Sequence, residues 1–243
     1  MPGAAPFPTV SSGRTETRWS PGIGVAWAPV LDSIGDVERQ EFLRVGVRRR
    51  FARNEVVFHE GDPGDSFHIV TSGVFIARSS STMGELIAVN LFGTGAVFGE
   101  LALLTDDPHR TATIVALRGG TTLMIARSHF DALRERYPRM NNFLLSVLAE
   151  RNRRLTAHLV ELLFTPAEQR VFRRLVGFAD VVEASSDDGW LHLSQADLAM
   201  LAGTTRSTAN RTLRRAEDRE IVRLARGRIQ VRDMTALRAL ADR

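Results

Sequence analysis

The sequence predicts an α+β protein: a β-rich barrel, one long helix, and a small helical unit that closes in a hairpin. Three observations carry that expectation. Between Phe51 and Phe130 the chain is a series of short β-type runs cut by Gly, Asp and Pro. After Pro138 apolar residues recur at helical spacing for about 25 residues. Beyond Thr165, helical stretches alternate with turn residues and end on an Arg-Gly pair flanked by alternating apolar side chains.

Composition narrows the classes. A chain of 243 residues is long for a single domain, so one or two domains are expected. With 44% apolar and 25% charged residues it reads as an ordinary globular protein, not a disordered one. Apolar runs such as Leu101 to Leu104 are far too short to span a bilayer, so no membrane partner is expected. The opening MPGAAPFPTVSSGR lacks a basic region followed by an apolar stretch, which argues against a secretory signal and gives a cytoplasmic expectation. The absence of Cys excludes disulfides, thiolate nucleophiles and Cys-ligated metal centres. Net charge is only +4, but all 32 basic residues are Arg, whose permanent fork of donors suits phosphate. A GC-rich genome also favours Arg over Lys, so position matters more than total.

Residues 1–30 mix Pro, Gly, Ser and isolated Trp without helical or strand period and read as a disordered tail. From Asp36 to Val45, Val37, Phe42 and Val45 share one helical face, predicting a short entry helix. The Arg48-Arg49-Arg50 run after it reads as solvated surface. The runs EVVFHEGD, SFHIVTSGVFIARSS, GELIAVNLFGTGAVFGE and TATIVALRGGTTLMIA then supply about eight short strands. They lack the helical crossovers of a parallel α/β sheet, so a β jelly-roll barrel over 31–137 is expected.

The helix expected over 138–164 places Leu144, Leu148, Leu155, Leu159 and Leu162 in a four-three rhythm. At ~1.5 Å per residue it is roughly 37 Å long. Such a seam packs either along its own barrel or against a second copy, and its length favours a homodimer. Arg151 and Asn152 interrupt it, as a pair that fixes register or reaches a ligand.

Thr165-Pro166 is a helix stop followed by a helix start, which opens a second unit over 165–243. A helix over 167–179, a turn at 185–189, a strand from Trp190 to Leu193, two helices joined by Gly203 and a final hairpin follow. That order is a winged helix-turn-helix. Ser194 and Thr205 are suited to cap its two central helices, while Leu198, Leu201, Ala209 and Leu213 point inward. Arg206, Ser207, Asn210 and Arg211 then stand where a recognition helix meets base edges in double-stranded DNA. Ser194, Gln195, Thr205, Thr208 and the wing-tip Arg226 complete the expected DNA-contacting set. Eight Arg against three acids between 206 and 228 suit phosphate contacts, whereas an ordinary helical hairpin with a solvated Arg face is the plainer alternative.

In the barrel, FGELALLTDDPHRTATI puts Gly99 before a short apolar turn, Glu100 at its start and Arg110 with Thr111 ten positions on. A cyclic phosphodiester needs a permanent cation, backbone amides and a carboxylate that accepts from a ribose hydroxyl, and these could converge here. From spacing alone, Glu100 and Arg110 read equally well as a structural salt bridge.

About four-fifths of the chain resembles the CRP/FNR superfamily of bacterial transcription regulators. EGDPGDSFHIVTSGVF is similar to that family's strand-turn-strand entry, FGELALL with Arg110-Thr111-Ala112 to its phosphate-binding cassette, and LSQADLAMLAGTTRST to its DNA reader. The resemblance implies a cyclic-nucleotide-binding barrel in which Gly99, Glu100, Leu101, Arg110 and Thr111 meet the ligand, Glu100 on the ribose and Arg110 on the phosphate. In the family's cyclic-AMP-dependent activator two adjacent hydroxyl residues of the dimer helix meet the adenine; here the place reads Leu155-Thr156, so only Thr156 is carried over. The activator's reader pattern Arg-Glu-Thr-Val-x-Arg becomes Arg206-Ser207-Thr208-Ala209-Asn210-Arg211, and loss of the Glu implies a different preferred half-site.

The functional expectation is therefore a homodimeric, cytoplasmic, sequence-specific DNA-binding regulator gated by cyclic AMP, with RNA polymerase as a further partner. A second reading keeps the DNA reader and makes the barrel a sensor for another ligand or a dimer scaffold. A third, a cyclic-nucleotide-regulated enzyme, has no catalytic constellation in 165–243 to rest on. No catalytic residues, metal site or cofactor are expected: His59, His68, His109, His129, His158 and His192 show no metal-ligand spacing. Trp190 is expected in the core beneath the wing.

Overall fold

The structure, a computed structural model, describes residues 35–80, 86–106, 108–182 and 189–242. The tail expected over 1–30 and most of the turn at 185–189 lie outside these residues. Helix α1 (Asp36–Val45) leads into strands β1 (Val47–Phe51), β2 (Val56–Phe58), β3 (Ser66–Ser80), β4 (Leu86–Phe92) and β5 (Val97–Phe98). A 3-10 turn (Leu101–Leu103), β6 (Thr113–Ala126) and α2 (Arg127–Arg136) complete the barrel part. The long helix α3 (Arg139–Phe164) follows. Then come α4 (Ala167–Val182), α5 (Gln195–Leu201), α6 (Arg206–Glu217), the hairpin β7 (Val222–Ala225) and β8 (Arg228–Val231), and α7 (Met234–Ala241).

Six described strands form the barrel sheet in the order β1-β6-β3-β4, with β2 on β6 and β5 on β3, all antiparallel. This corrects the expectation of about eight short strands. Gly73 and the Gly119-Gly120 pair do not divide strands but lie within β3 and β6. Gly73 has φ +87°, and a Cβ on it would sit 2.5 Å from the Cα of Gly120. Glycine is thus what lets the two long strands approach and bend together while the register shifts, instead of ending them. The Arg48-Arg49-Arg50 run is exposed, but as strand β1 at the sheet edge, where charge discourages pairing with another chain.

Side-chain alternation along β3 sends Phe75 and Ala77 into the barrel, with Phe51, Phe92, Phe98 and Ile114. Val74 and Ile76 face the other way and, with Leu91 and Val115, join the core of the winged helix-turn-helix. Each such large side chain contributes about 1.5–3 kcal/mol on burial, so barrel and reader share an apolar contact. A third cluster packs Phe42 of α1, Phe67 of β3, Phe130 of α2 and Phe143 of α3, with the Phe67 and Phe130 rings 5.1 Å apart.

That cluster divides α3 in two. Met140, Phe143, Leu144 and Val147 are buried against the barrel, so Leu144 does not belong to an intersubunit seam. Its position one turn from Met140 puts it under the barrel base. Further along, Leu155, Leu159, Leu162, Leu163 and Phe164 are exposed, Phe164 to 80%. Among the described residues no helix is long and apolar enough to cross a membrane.

Candidate ligand cleft and DNA interface

The short apolar turn after β5 is held open by Gly99, whose φ of +84° no ordinary side chain tolerates without strain. A Cβ there would lie 2.8 Å from Nη1 of Arg110. The Arg110 side chain, 5% exposed, therefore passes directly over the glycine. Its Nη1 donates to the carbonyls of Ser66 (2.6 Å) and Gly99 (3.1 Å), and its Nη2 donates to Ser66 Oγ (3.1 Å). The guanidinium carbon lies 4.1 Å from the centre of the Phe58 ring. Burial lowers the Arg110 pKa, with Asp65 and Asp62 opposing.

Gly99, Leu101, Arg110 and Thr111 line a cleft of about 300 Å³ together with Phe58 and Arg151. Glu100, fully buried, lines an adjoining cleft of about 400 Å³ with Asn90, Glu150, Arg151 and Arg154. Arg151 of α3 lies between the two and forms an ion pair with Oε1 of Glu100. Burial pushes the Glu100 carboxyl up, while the Arg151 and Arg110 charges pull it down. Four buried side-chain polar atoms have no hydrogen-bond partner among the described residues, and two of them, Arg110 Nε and Glu100 Oε2, lie here.

The structure thus brings together Gly99, Glu100, Leu101, Arg110 and Thr111 around Arg151. Thr156 is exposed on α3 and lines neither cleft. Arg151 is the site residue that sequence reasoning reached only halfway, as a polar break in an apolar seam. Phe58 gave no signal beyond its place in a β-type run.

In the reader, Ser194 Oγ accepts from the backbone N–H of Asp197 (3.0 Å) and Thr205 Oγ1 from that of Thr208 (3.2 Å), so both act as N-caps. Gly203, at φ +56°, makes the turn between α5 and α6. Leu198, Leu201, Ala209 and Leu213 are buried, which leaves Arg206, Ser207, Asn210 and Arg211 exposed along α6. Arg214 and Arg215 are engaged by Glu217 (2.7 Å) and Glu168 (2.6 Å). Arg206 and Arg211 have no ion pair among the described residues. Ser207 Oγ bonds Thr205 Oγ1 at 2.9 Å, Thr208 accepts from the same hydroxyl, and Ser194 and Gln195 are half-buried at the start of α5. Arg226 is exposed beside Gly227 at the tip of the hairpin.

Two expectations are corrected here. Trp190 is half-buried, not core: its ring is a platform for Arg228 (4.5 Å) and Arg223 (5.9 Å) of the wing. The strand from Trp190 to Leu193 is reduced to a bridge between Leu191 and Ile229.

A barrel with a buried arginine-carboxylate cleft, joined by a long helix to a winged helix-turn-helix, defines a ligand-binding DNA-binding regulator. The comparisons agree: residues 48–137 match the cyclic nucleotide-binding domain and residues 153–240 the Crp-like helix-turn-helix domain. The cyclic AMP receptor protein of Thermus thermophilus is 29% identical over 214 residues, covering 88% of this chain and 97% of that protein. The CRP-like cAMP-activated global transcriptional regulator of Mycobacterium tuberculosis is 30% identical over 194 residues, covering 77% of this chain and 84% of its own. The c-di-GMP responsive global regulator CLP of Xanthomonas campestris shares the fold, with a TM-score of 0.70 and 22% identity over 81% of this chain and 99% of that one. The chain belongs to the CRP/FNR superfamily of transcriptional regulators.

Proposed function

We propose that this chain is a homodimeric, cytoplasmic regulator whose binding to double-stranded DNA is gated by cyclic AMP. The organisation is a barrel over 31–137, a dimerisation helix over 138–164 and a DNA reader over 165–243. The observation that carries the ligand reading is the pair of orphaned buried atoms. Arg110 Nε is a donor suited to a phosphate oxygen, and Glu100 Oε2 an acceptor suited to a ribose hydroxyl. A buried polar atom without a partner costs about 1–3 kcal/mol, and a cyclic nucleotide relieves both. Gly99, Leu101 and Thr111 line the phosphate end; Thr156, outside both clefts of this chain, would meet the base only across the proposed dimer. The relatives from Thermus thermophilus and Mycobacterium tuberculosis, named for cyclic AMP, support this choice of ligand.

The DNA reading rests on the exposed face of α6. Arg206, Ser207, Asn210 and Arg211 meet base edges, Ser194, Gln195, Thr205 and Thr208 the flanking backbone, and Arg226 a phosphate. RNA polymerase is the further protein partner.

Titration calorimetry with cyclic AMP, cyclic GMP and cyclic di-GMP tests the ligand. Cyclic AMP is expected to bind most tightly and to tighten or loosen binding in a gel shift on the DNA upstream of the protein's own gene. Absence of binding by any of the three would make the barrel a scaffold or a sensor of other chemistry; preference for cyclic di-GMP would move the ligand to the class named for the Xanthomonas protein.

A further inference from the structure

Helix α4 carries three arginines on one face, Arg170, Arg173 and Arg174, and they join three separate parts of the chain. Arg174, 4% exposed, donates from Nε to the carbonyl of Leu201 (3.0 Å). Arg170, 8% exposed, donates to the carbonyls of Ala202 (2.8 Å), Gly203 (2.9 Å) and Thr165 (2.6 Å). Arg173 donates to the carbonyl of Ala241 at the end of α7 (2.9 Å). The carbonyls of Leu201 to Gly203 belong to the end and turn of α5, where helix carbonyls lack intrahelical partners and carry partial negative charge.

The counter-charge comes from elsewhere. Glu161, in the last turn of α3 and 2% exposed, accepts from Arg174 Nη2 and lies 3.4 Å from Arg173 Nη1. The next residue, Leu162, presses on the same turn: a Cβ on Gly203 would be 2.6 Å from Leu162 Cδ2. Burial pushes the Glu161 carboxyl up, but His158 and Arg174 outweigh it and hold it below the usual carboxylate range. The end of the long helix is therefore fastened to the DNA-reading turn through the Glu161 carboxylate and the Arg174 guanidinium, and to the end of α7 through Arg173, although Thr165-Pro166 breaks the helix between them.

We propose that Glu161 is a positioning residue for the DNA reader: through Arg174 it holds the turn between α5 and α6 in register with the end of α3. A shift of that helix is then delivered to the N-terminus of α6, where Arg206 and Ser207 stand. The inference rests on the reading of α6 as the DNA-contacting helix.

Glu161→Ala and Glu161→Gln in the full chain test it, by hydrogen exchange and by binding to a duplex that the wild type selects from a random pool. Glu161→Ala is expected to speed amide exchange across residues 199–208 at least tenfold, leaving β3 and β6 unchanged. The preference for the selected duplex over a scrambled one is expected to fall at least tenfold. Glu161→Gln, which keeps an acceptor for Arg174, recovers part of both, and it carries the comparison alone if the alanine variant does not fold. Exchange that rises alike through the whole chain would mean lost stability without a positioned turn and overturns the proposal, as would wild-type exchange at 199–208. If the wild type selects no duplex, the DNA reading fails instead, and exchange alone decides whether Glu161 holds the turn.

Discussion

Arg78 on β3 and Asp197 in the first turn of α5 lie 2.7 Å apart, with side chains 20% and 16% exposed. This ion pair fastens the reader to the outer face of the barrel, beside the apolar contact of Ile76 and Leu91 with the reader core. Asp197 Oδ2 also accepts from the Ser194 hydroxyl that caps α5 (2.6 Å). Arg78→Ala and Asp197→Ala are each expected to destabilise the chain. Their double mutant should be less damaged than the sum, with a coupling of about 0.5–3 kcal/mol in urea denaturation. Additive losses would mean that the pair does not hold the two parts together.

For the ligand cleft, Arg110→Ala leaves a cyclic phosphate partly desolvated and unpaired, at a cost of about 2–5 kcal/mol in affinity. Glu100→Ala removes one charge-assisted hydrogen bond, costs about 1.5–3 kcal/mol and narrows discrimination against a 2′-deoxy analogue. Gly99→Ala is expected to match Arg110→Ala, because its Cβ displaces the guanidinium and its backbone is left-handed. Calorimetry on the three variants decides; an Arg110→Ala protein that binds cyclic AMP as the wild type does removes Arg110 from the phosphate.

At the DNA face, Arg206→Ala is expected to cost about 1–3 kcal/mol on the cognate site and to blur preference at one base pair. Arg226→Ala should weaken all sequences alike and flatten the salt dependence, as loss of a phosphate contact does. Identical, sequence-independent losses in both would refute this division of roles.

The exposed half of α3 predicts a dimer of about twice the 26.9 kDa chain mass by light scattering. Leu159→Glu, at a site 57% exposed, should yield a folded monomer. Leu144→Ala should leave the mass unchanged and cost about 2–5 kcal/mol of stability, since Leu144 is buried in its own barrel. A monomeric wild type at micromolar concentration contradicts the first expectation.

His68 predicts acid lability. Its ring is stacked on Phe98 at 5.0 Å with Nδ1 2.9 Å from Thr122 Oγ1, and burial, with Arg110 and Arg49 adding to it, lowers its pKa to about 3. The unfolded chain protonates near pH 6.5 while the folded ring stays neutral, so stability falls as pH drops from about 6.5 to 3. The loss amounts to about 4 kcal/mol over that window. In urea titrations from pH 7 to 4, His68→Gln should show a shallower slope by about one proton. An unchanged slope would assign the lability to other groups.

What the sequence made legible follows the range of the interactions involved. Ser194, Thr205 and Gly203 could be read because caps and turns are settled within a few residues, and the exposed face of α6 follows from its caps and its apolar stripe. Strand lengths could not: whether Gly73 ends a strand or bends it depends on Gly120 facing it across the sheet, 47 positions away (120 − 73). Leu144 and Leu155 share one rhythm, and only the barrel base separates them into core and surface. Arg151 stood out as a polar break, but the carboxylate it meets lies on another element. Helix α7 was missed although Asp233 caps it through the backbone N–H of Ala236 (2.8 Å) and Leu237 anchors it.

The three hydrogen bonds from Arg110 to Ser66 and Gly99, with Phe58 against its face, mean that this guanidinium loses its rotamer freedom when the barrel folds and not when an anion arrives. A flexible surface arginine gives up on the order of 1 kcal/mol of side-chain entropy at each encounter. Here the cation is rigid in advance, so it cannot reach out to follow an anion of the wrong shape. If Arg110 meets the phosphate as proposed, selection among phosphorylated ligands becomes a matter of fit, and a linear monophosphate of the same charge is expected to bind more weakly than a cyclic one.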